Sequence, residues 1–330
     1  MSAIAGISVI IPNYNGEGLL PQVLPTVFVA LNNSKVPSEV IVVDDCSTDR
    51  SVQLLHEKFP GVKIVQNKVN SGFSVTSNKG ISSAKYDWVL LLNSDVKLEP
   101  DYFEPLLKYT ERSDVFGVMG RILGWEDDKI QDGAKYPFFH GVKIKTSGNY
   151  LLKNEEEMTN GLYSMYLSGA NAFMNKNYFL ATGGFNELFS PFYVEDFELS
   201  LRAWRLGYTC YYDHNAICRH KTSATIVSGN KKESIKKIYN RNKMYLHAIH
   251  LSNTKRYLWF LQLFFEGIIQ LIALKKYYIK ALFLFLSSYK KVVKSRDELQ
   301  SLAKDRDLLP VNTVVDKILN SIQEKEVTRF

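Results

Sequence analysis

Apolar runs and polar breaks alternate through the first hundred residues. Ile7–Ile11 is an apolar run closed by Pro12 and the turn-forming Asn13-Tyr14-Asn15-Gly16. Leu19–Leu31 carries apolar residues at helical spacing, with Pro21 and Pro25 making its start ragged. Val40–Val43 predicts a second strand, ending in Asp44-Asp45-Cys46-Ser47-Thr48-Asp49, where Ser47 is placed to cap the following helix. Val62–Val65 predicts a third strand, and Asn67–Gly72 turns into a helix running through Lys85. Val89–Leu92 is apolar at every position, which suits a central strand covered on both faces. Strands and helices joined by short loops predict an α/β fold with a parallel, doubly wound sheet. The stretch from Arg112 to Leu162 has no clean period. Beyond it, Tyr166–Asn175 reads as a strand, Asp196–Leu206 as a helix stopped by Gly207, and Tyr208–Tyr212 as a strand.

The polar residues of this half cluster at the carboxyl ends of strands: Asn13 to Asn15, Asp44 to Asp49, Asn93 to Asp95. In a parallel sheet those ends share one edge, so the clusters converge on one crevice. After about Thr225 the pattern becomes helical, which predicts a domain over 1–225 and a helical region over 226–330. Tyr257–Leu274 is apolar apart from Gln262, Glu266 and Gln270, which form one stripe at a spacing of four. A helix of that length spans about 27 Å, slightly short of a hydrocarbon core of about 30 Å. The stripe points to a helix lying in a membrane interface or packed on a neighbour, and both options stay open. Tyr277–Leu286 is a second apolar segment, and the charged tail after Ser295 is helical in pattern.

Composition narrows the picture. At 330 residues and 45% hydrophobic, the chain can bury a full core, so wholesale disorder is excluded. The net charge of +7 concentrates in Lys231–Lys243 and Lys275–Lys294. Such clusters suit an anionic membrane surface or a phosphate-rich substrate as well as nucleic acid, which ranks last. Cys46, Cys210 and Cys218 lack CxxC spacing and are odd in number, which argues against a disulfide framework or a structural zinc. No leader-like segment opens the chain, so the expected location is cytoplasmic.

Four segments carry the chemistry: Val9-Ile-Ile-Pro-Asn-Tyr-Asn15, Val42-Val-Asp-Asp-Cys-Ser-Thr-Asp49, Asn78-Lys-Gly-Ile81 with Leu91-Leu-Asn-Ser-Asp95, and Val194-Glu-Asp-Phe-Glu-Leu199. In this order they resemble the family 2 inverting glycosyltransferases of the GT-A fold, over roughly Ile4 to Thr225. Ser168-Gly-Ala170 followed by Gly183-Gly-Phe-Asn-Glu187 looks most like bacterial rhamnosyltransferase-type enzymes of surface-polysaccharide assembly. The resemblance implies a GT-A, mostly parallel mixed sheet flanked by helices, with a C-terminal helical extension. It also implies a nucleoside-diphosphate sugar donor, UDP or dTDP before GDP, and a glycan or lipid-linked acceptor.

The implied roles have physical reasons. Tyr14 offers a flat face to a nucleotide base, and Asp45, with Asp44 beside it, offers an acceptor to an imide N–H. Pro12, Asn78, Asn93 and Ser94 complete the nucleotide-sugar set. For Asn78 a turn-stabilising role is the alternative, and Asp49 is read as capping the next helix. Asp95 matches the last acid of the family's Asp-x-Asp motif, so it is the expected ligand of Mg²⁺ or Mn²⁺, with His220 completing the site. The first acid of that motif is Asn93 here, which brings no charge. Asp196 aligns with the family's general base, favoured as a carboxylate by the helix amino terminus. Glu195 and Gly169 are expected on the acceptor or sugar, while Glu198 is read as outward-facing. Arg219, Lys221 and Arg241 are either diphosphate contacts or solvated surface. Two rival readings remain: a polyprenyl-phosphate glycosyltransferase, and a non-catalytic nucleotide-sugar-binding assembly partner. Peripheral association with the inner face of the cell membrane is expected, and the oligomeric state is left open.

Overall fold

The computed structural model describes residues 4–221, 229–303 and 307–330. Strand β1 (Ile7–Asn13), helix α1 (Leu20–Ser34), β2 (Ser38–Asp44), α2 (Ser51–Lys58), β3 (Lys63–Gln66), α3 (Phe73–Ser82) and β4 (Trp88–Leu92) follow the predicted alternation. β2, β1 and β4 are parallel neighbours, with β3 outside β2. The side chains of β4 explain its unbroken apolar run. Leu90 and Leu92 enter the core beneath α1, while Val89 and Leu91 enter the core on the opposite face. Each such side chain contributes roughly 1.5–3 kcal/mol on burial.

The stretch without a clean period holds much of the remaining sheet. It contains β5 (Val96–Leu98) at its approach, α4 (Glu104–Leu107), β6 (Val115–Gly124), β7 (Ile130–Asp132), β8 (Ala134–His140) and β9 (Lys143–Leu152). β10 (Leu162–Tyr163), β11 (Asn171–Asn175), α5 (Lys176–Ala181), α6 (Glu195–Arg205) and β12 (Thr209–His220) follow. Among the described residues, one sheet runs β10-β12-β6-β11-β4-β1-β2-β3, with β5 on β12 and β7 on β6. It is a mixed sheet, parallel across β3-β2-β1-β4 and between β6 and β12, with β11 inserted antiparallel. Only Asn171–Asn175 of the strand expected over Tyr166–Asn175 is extended and paired. The preceding residues form a loop, because Gly169 and Ala170 carry too little side chain to hold a strand face.

The carboxyl-terminal region is helical: α7 (Gly229–His250), α8 (Asn253–Ile272), α9 (Lys276–Ser287), α10 (Tyr289–Ala303) and α11 (Val311–Asn320). The 225/226 boundary falls within residues 222–228, outside the described residues. These helices do not stand apart from the sheet. Tyr245, Trp259 and Phe285 share one apolar cluster with Leu91, Phe197 and Trp204. The tail, read as helical, closes with β13 (Val327–Arg329), which pairs with β9 in a second sheet of order β13-β9-β8. Among the described residues, no helix is long and apolar enough to cross a membrane.

Candidate active site

The ends of β1 and β2 build a crevice of about 320 Å³ lined by Pro12, Tyr14, Asp45, Gly72, Phe73 and Phe192. Tyr14 is 52% exposed, so its ring face is open to a ligand. Asp45 is buried, and its Oδ1 accepts from Asn67 Nδ2 and the Ser71 N–H, while its Oδ2 accepts from the Gly72 N–H, all at 2.8 Å. Among the described residues this leaves an Oδ2 lone pair for one more donor. Gly72 is needed here: its φ is +85°, and a Cβ would meet Pro191 Cα at 2.9 Å.

Asp44 does different work. Its carboxylate accepts from Asn13 Nδ2 at 3.0 Å, the Ser47 N–H at 3.0 Å and the Ser47 hydroxyl at 2.5 Å, tying together the turns that follow β1 and β2. Ser47 therefore does not cap α2. Its hydroxyl accepts from the Asn15 N–H at 2.9 Å, and Asp49 receives the Ser51 N–H at 3.0 Å at the helix start. Asn78 faces away from the crevice, donating to the Phe185 carbonyl at 2.9 Å and accepting its N–H at 2.8 Å.

At the end of β4, Asn93 and Ser94 lead into Asp95. The pairing of β5 with β12 sets His220 against Val96, which brings the imidazole to the carboxylate. His220 Nε2 stands 3.4 Å from Asp95 Oδ1, and His220 Nδ1 is 3.3 Å from Gln131 Oε1. In the tautomer whose Nδ1–H donates to that amide oxygen, Nε2 offers a lone pair on the side of Asp95. A carboxylate oxygen and an imidazole nitrogen facing each other fit a divalent cation. No third His, Cys, Asp or Glu joins them among the described residues, so substrate oxygens and water would complete the shell.

The third component is the amino end of α6. Tyr193 and Val194 have φ of 75° and 74°, and this left-handed entry delivers Glu195 and Asp196 to the first turn. Asp196 accepts from the Phe197 N–H at 2.8 Å and the Gly169 N–H at 3.4 Å. It borders a cavity of about 190 Å³ together with Tyr166, Lys145 and Lys243. Burial raises the Asp196 carboxyl above its ordinary range, and the nearby Lys135 ammonium opposes that rise. Lys135 is itself buried, paired with Asp132 and donating to Asn149 Oδ1 at 3.0 Å. Burial, then the charge of Asp196, also raises Glu195. Glu195 Oε2 is buried with no hydrogen-bond partner among the described residues.

One short loop connects these parts. The Asn93 N–H donates to the Ala170 carbonyl at 3.1 Å, and the adjacent Gly169 holds Asp196. A Cβ on Gly169 would meet the Phe73 ring, which lines the nucleotide crevice, at 3.1 Å.

Other side chains lie elsewhere than the sequence suggested. Glu198 is not outward but 1% exposed. It pairs with Arg202 and accepts from His250 Nε2 at 3.1 Å, joining α6 to α7. Arg219 is engaged by Glu99 at 2.7 Å and Asp128 at 2.8 Å. Arg241 donates to the Ser190 carbonyl at 2.6 Å. Its neighbour Asn242 is a site-shaping residue to which the sequence assigned no role, although the Arg241-Asn242 pair resembles an Arg-Asn of related enzymes. Its amide reaches the carbonyls of Phe189, Phe192 and Tyr193 at 2.7, 3.1 and 2.7 Å, clamping the loop between the two cavities.

The family model described as glycosyl transferase family 2 matches residues 8–179. The chain is 36% identical over 152 residues to a putative teichuronic acid biosynthesis glycosyltransferase, TuaG, of Bacillus subtilis, covering 45% of this chain. That match spans 57% of the length of the Bacillus protein. It is 24% identical over 211 residues to an N-acetylglucosaminyl-diphospho-decaprenol L-rhamnosyltransferase of Mycobacterium tuberculosis, covering 57% of this chain and 68% of that protein. Among solved structures, GalNAc-T7 with UDP, GalNAc and Mn²⁺ shares the fold with a TM-score of 0.67 at 14% identity, covering 98% of this chain and 58% of that one.

Proposed function

We propose that this chain, which belongs to glycosyl transferase family 2, moves a sugar from a nucleoside-diphosphate donor to an acceptor hydroxyl with inversion at the anomeric carbon. The observation that carries this reading is the Gly169–Ala170 loop. Through it the Asp95 end of β4 and the Asp196 carboxylate are hydrogen-bonded to adjacent residues. In this reading the nucleotide base of a UDP- or dTDP-sugar lies on Tyr14, and Asp45 accepts its imide N–H. Asp95 and His220 would hold Mg²⁺ or Mn²⁺, whose charge offsets that of the leaving diphosphate. Asp196 takes the proton from the acceptor hydroxyl as its oxygen bonds to the anomeric carbon and the bond to the diphosphate breaks. The acceptor is a glycan or lipid-linked glycan, met at the inner face of the membrane. Residues 1–225 act as the catalytic unit and 226–330 as its acceptor-side flank. The test is the configuration of the first-formed sugar, followed by NMR during slow hydrolysis of UDP- and dTDP-sugars. The expected product has the configuration opposite to the donor; retention would overturn the reading.

A second reading is supported by Lys145 and Lys243 on the Asp196 cavity. There the acceptor atom belongs to a polyprenyl phosphate, which needs no strong base. Turnover that survives Asp196→Asn would favour it.

A further inference from the structure

Helix α8 buries Trp259 and Leu263 against the protein and leaves a second apolar face exposed. Its polar stripe faces the protein: Glu266 pairs with Lys143 and accepts from Tyr278 Oη and Gln262 Nε2, each at 3.1 Å. Its second apolar face is open to solvent, with Phe264 63% and Ile272 77% exposed and Phe265, Ile268 and Ile269 also open. Phe283 and Leu286 of α9 are likewise exposed. Lys275, Lys276 and Lys280 are exposed at the junction of the two helices. Exposed apolar side chains on two successive helices, flanked by cations, fit a lipid surface with anionic head groups. Two copies packed on this face would bury the same lysines in a like-charged rim.

Behind α8 lies a cavity of about 290 Å³, reaching from Trp259 and Glu266 to Lys145, Lys243 and His247. The same Lys145, Lys243 and His247 also line the cavity of Asp196. The two cavities therefore share a wall, and that wall is cationic. The charges of Lys145 and Lys243 add to burial in lowering Lys143, so the three ammonium groups act on one another. Glu266 answers Lys143, whereas neither Lys145 nor Lys243 forms an ion pair among the described residues. Lys243 Nζ lies 4.2 Å from the Tyr239 ring centre.

We propose that Lys145 and Lys243 bind the phosphoryl group of a lipid-linked acceptor whose hydrocarbon chain lies in a bilayer seated on the outward face of α8 and α9. This deepens the proposed transferase reading and rests on it for the acceptor's role. The phosphoryl group sits between the membrane face and Asp196, so a sugar hydroxyl beyond it enters the Asp196 cavity.

The test uses the full chain with farnesyl diphosphate, inorganic pyrophosphate and farnesol as calorimetric probes, all under saturating UDP so that the donor crevice is closed. Lys145→Ala/Lys243→Ala should weaken farnesyl diphosphate and pyrophosphate by about tenfold or more, since two charge-assisted contacts are lost. Phe265→Ser/Ile269→Ser should abolish flotation with phosphatidylcholine–phosphatidylglycerol vesicles while leaving pyrophosphate binding unchanged. These side chains are exposed, and equal melting temperatures establish that the variants fold. Wild-type affinity for farnesyl diphosphate in the lysine variant would overturn the proposal. So would a dimer that Phe265→Ser/Ile269→Ser dissociates, with no flotation by the wild type. Failure of the wild type to bind UDP would count against the donor reading, while the difference in pyrophosphate affinity between wild type and Lys145→Ala/Lys243→Ala would still read the proposal, because neither lysine lines the donor crevice.

Discussion

Asp196 and Glu195 are adjacent acids in one helical turn, yet they meet different surroundings. Asp196 opens on a cavity and receives two N–H groups; Glu195 is buried with one oxygen unanswered. A carboxyl raised by burial stabilises the fold below its unfolded pKa, and that contribution is lost as pH rises through the folded value. Glu195→Gln should therefore match the wild type in melting temperature near about pH 5 and exceed it increasingly toward about pH 9. A constant difference across that range would contradict the assignment. At this scale the sequence was legible in placing Asp95 after β4 and Asp196 in the first turn of α6. It was not legible for Asp44 and Asn78. Asp44 ends β2 and Asn78 lies within α3, and whether each faces the crevice depends on partners such as Ser47 and Phe185. Glu198 was misread because α6 is buried on nearly every face, and its partner His250 lies on another helix.

At the scale of elements, the parallel strands were readable because each has an apolar run with a polar stop. The strands from β6 to β9 were not, since β6 is buried almost throughout and β9 pairs with β13 from the far end of the chain. Helix α8 was readable as amphipathic, but which side meets the protein was set by Lys143 and Tyr278. The loop before α6 depends similarly on α7. Asn242→Ala removes the amide that holds three carbonyls and should cost about 1–3 kcal/mol of stability. It should also weaken UDP several-fold, because Pro191 and Phe192 line the nucleotide crevice. Calorimetry and a thermal melt read both effects; an unchanged UDP affinity would separate the loop from donor binding.

For the molecule as a whole, a boundary near residue 225 marks a change of pattern rather than a break in the core. Tyr245, Trp259 and Phe285 belong to the cluster that covers the sheet, and Arg205 Nε donates to the Leu309 carbonyl at 3.0 Å. A chain ending before Gly229 should therefore lose cooperative unfolding in circular dichroism; a sharp melt for that fragment would contradict a shared core. The shared core also places the exposed apolar side chains of α8 and α9 and the cavity of Asp196 in one body. The proposed transfer turns on Asp196 as the proton acceptor. The most direct measurement compares transfer and UDP affinity in wild type and Asp196→Asn. The account predicts turnover lower by about 10²–10⁴-fold with UDP binding preserved; turnover near the wild-type rate in a variant that binds UDP normally would contradict it.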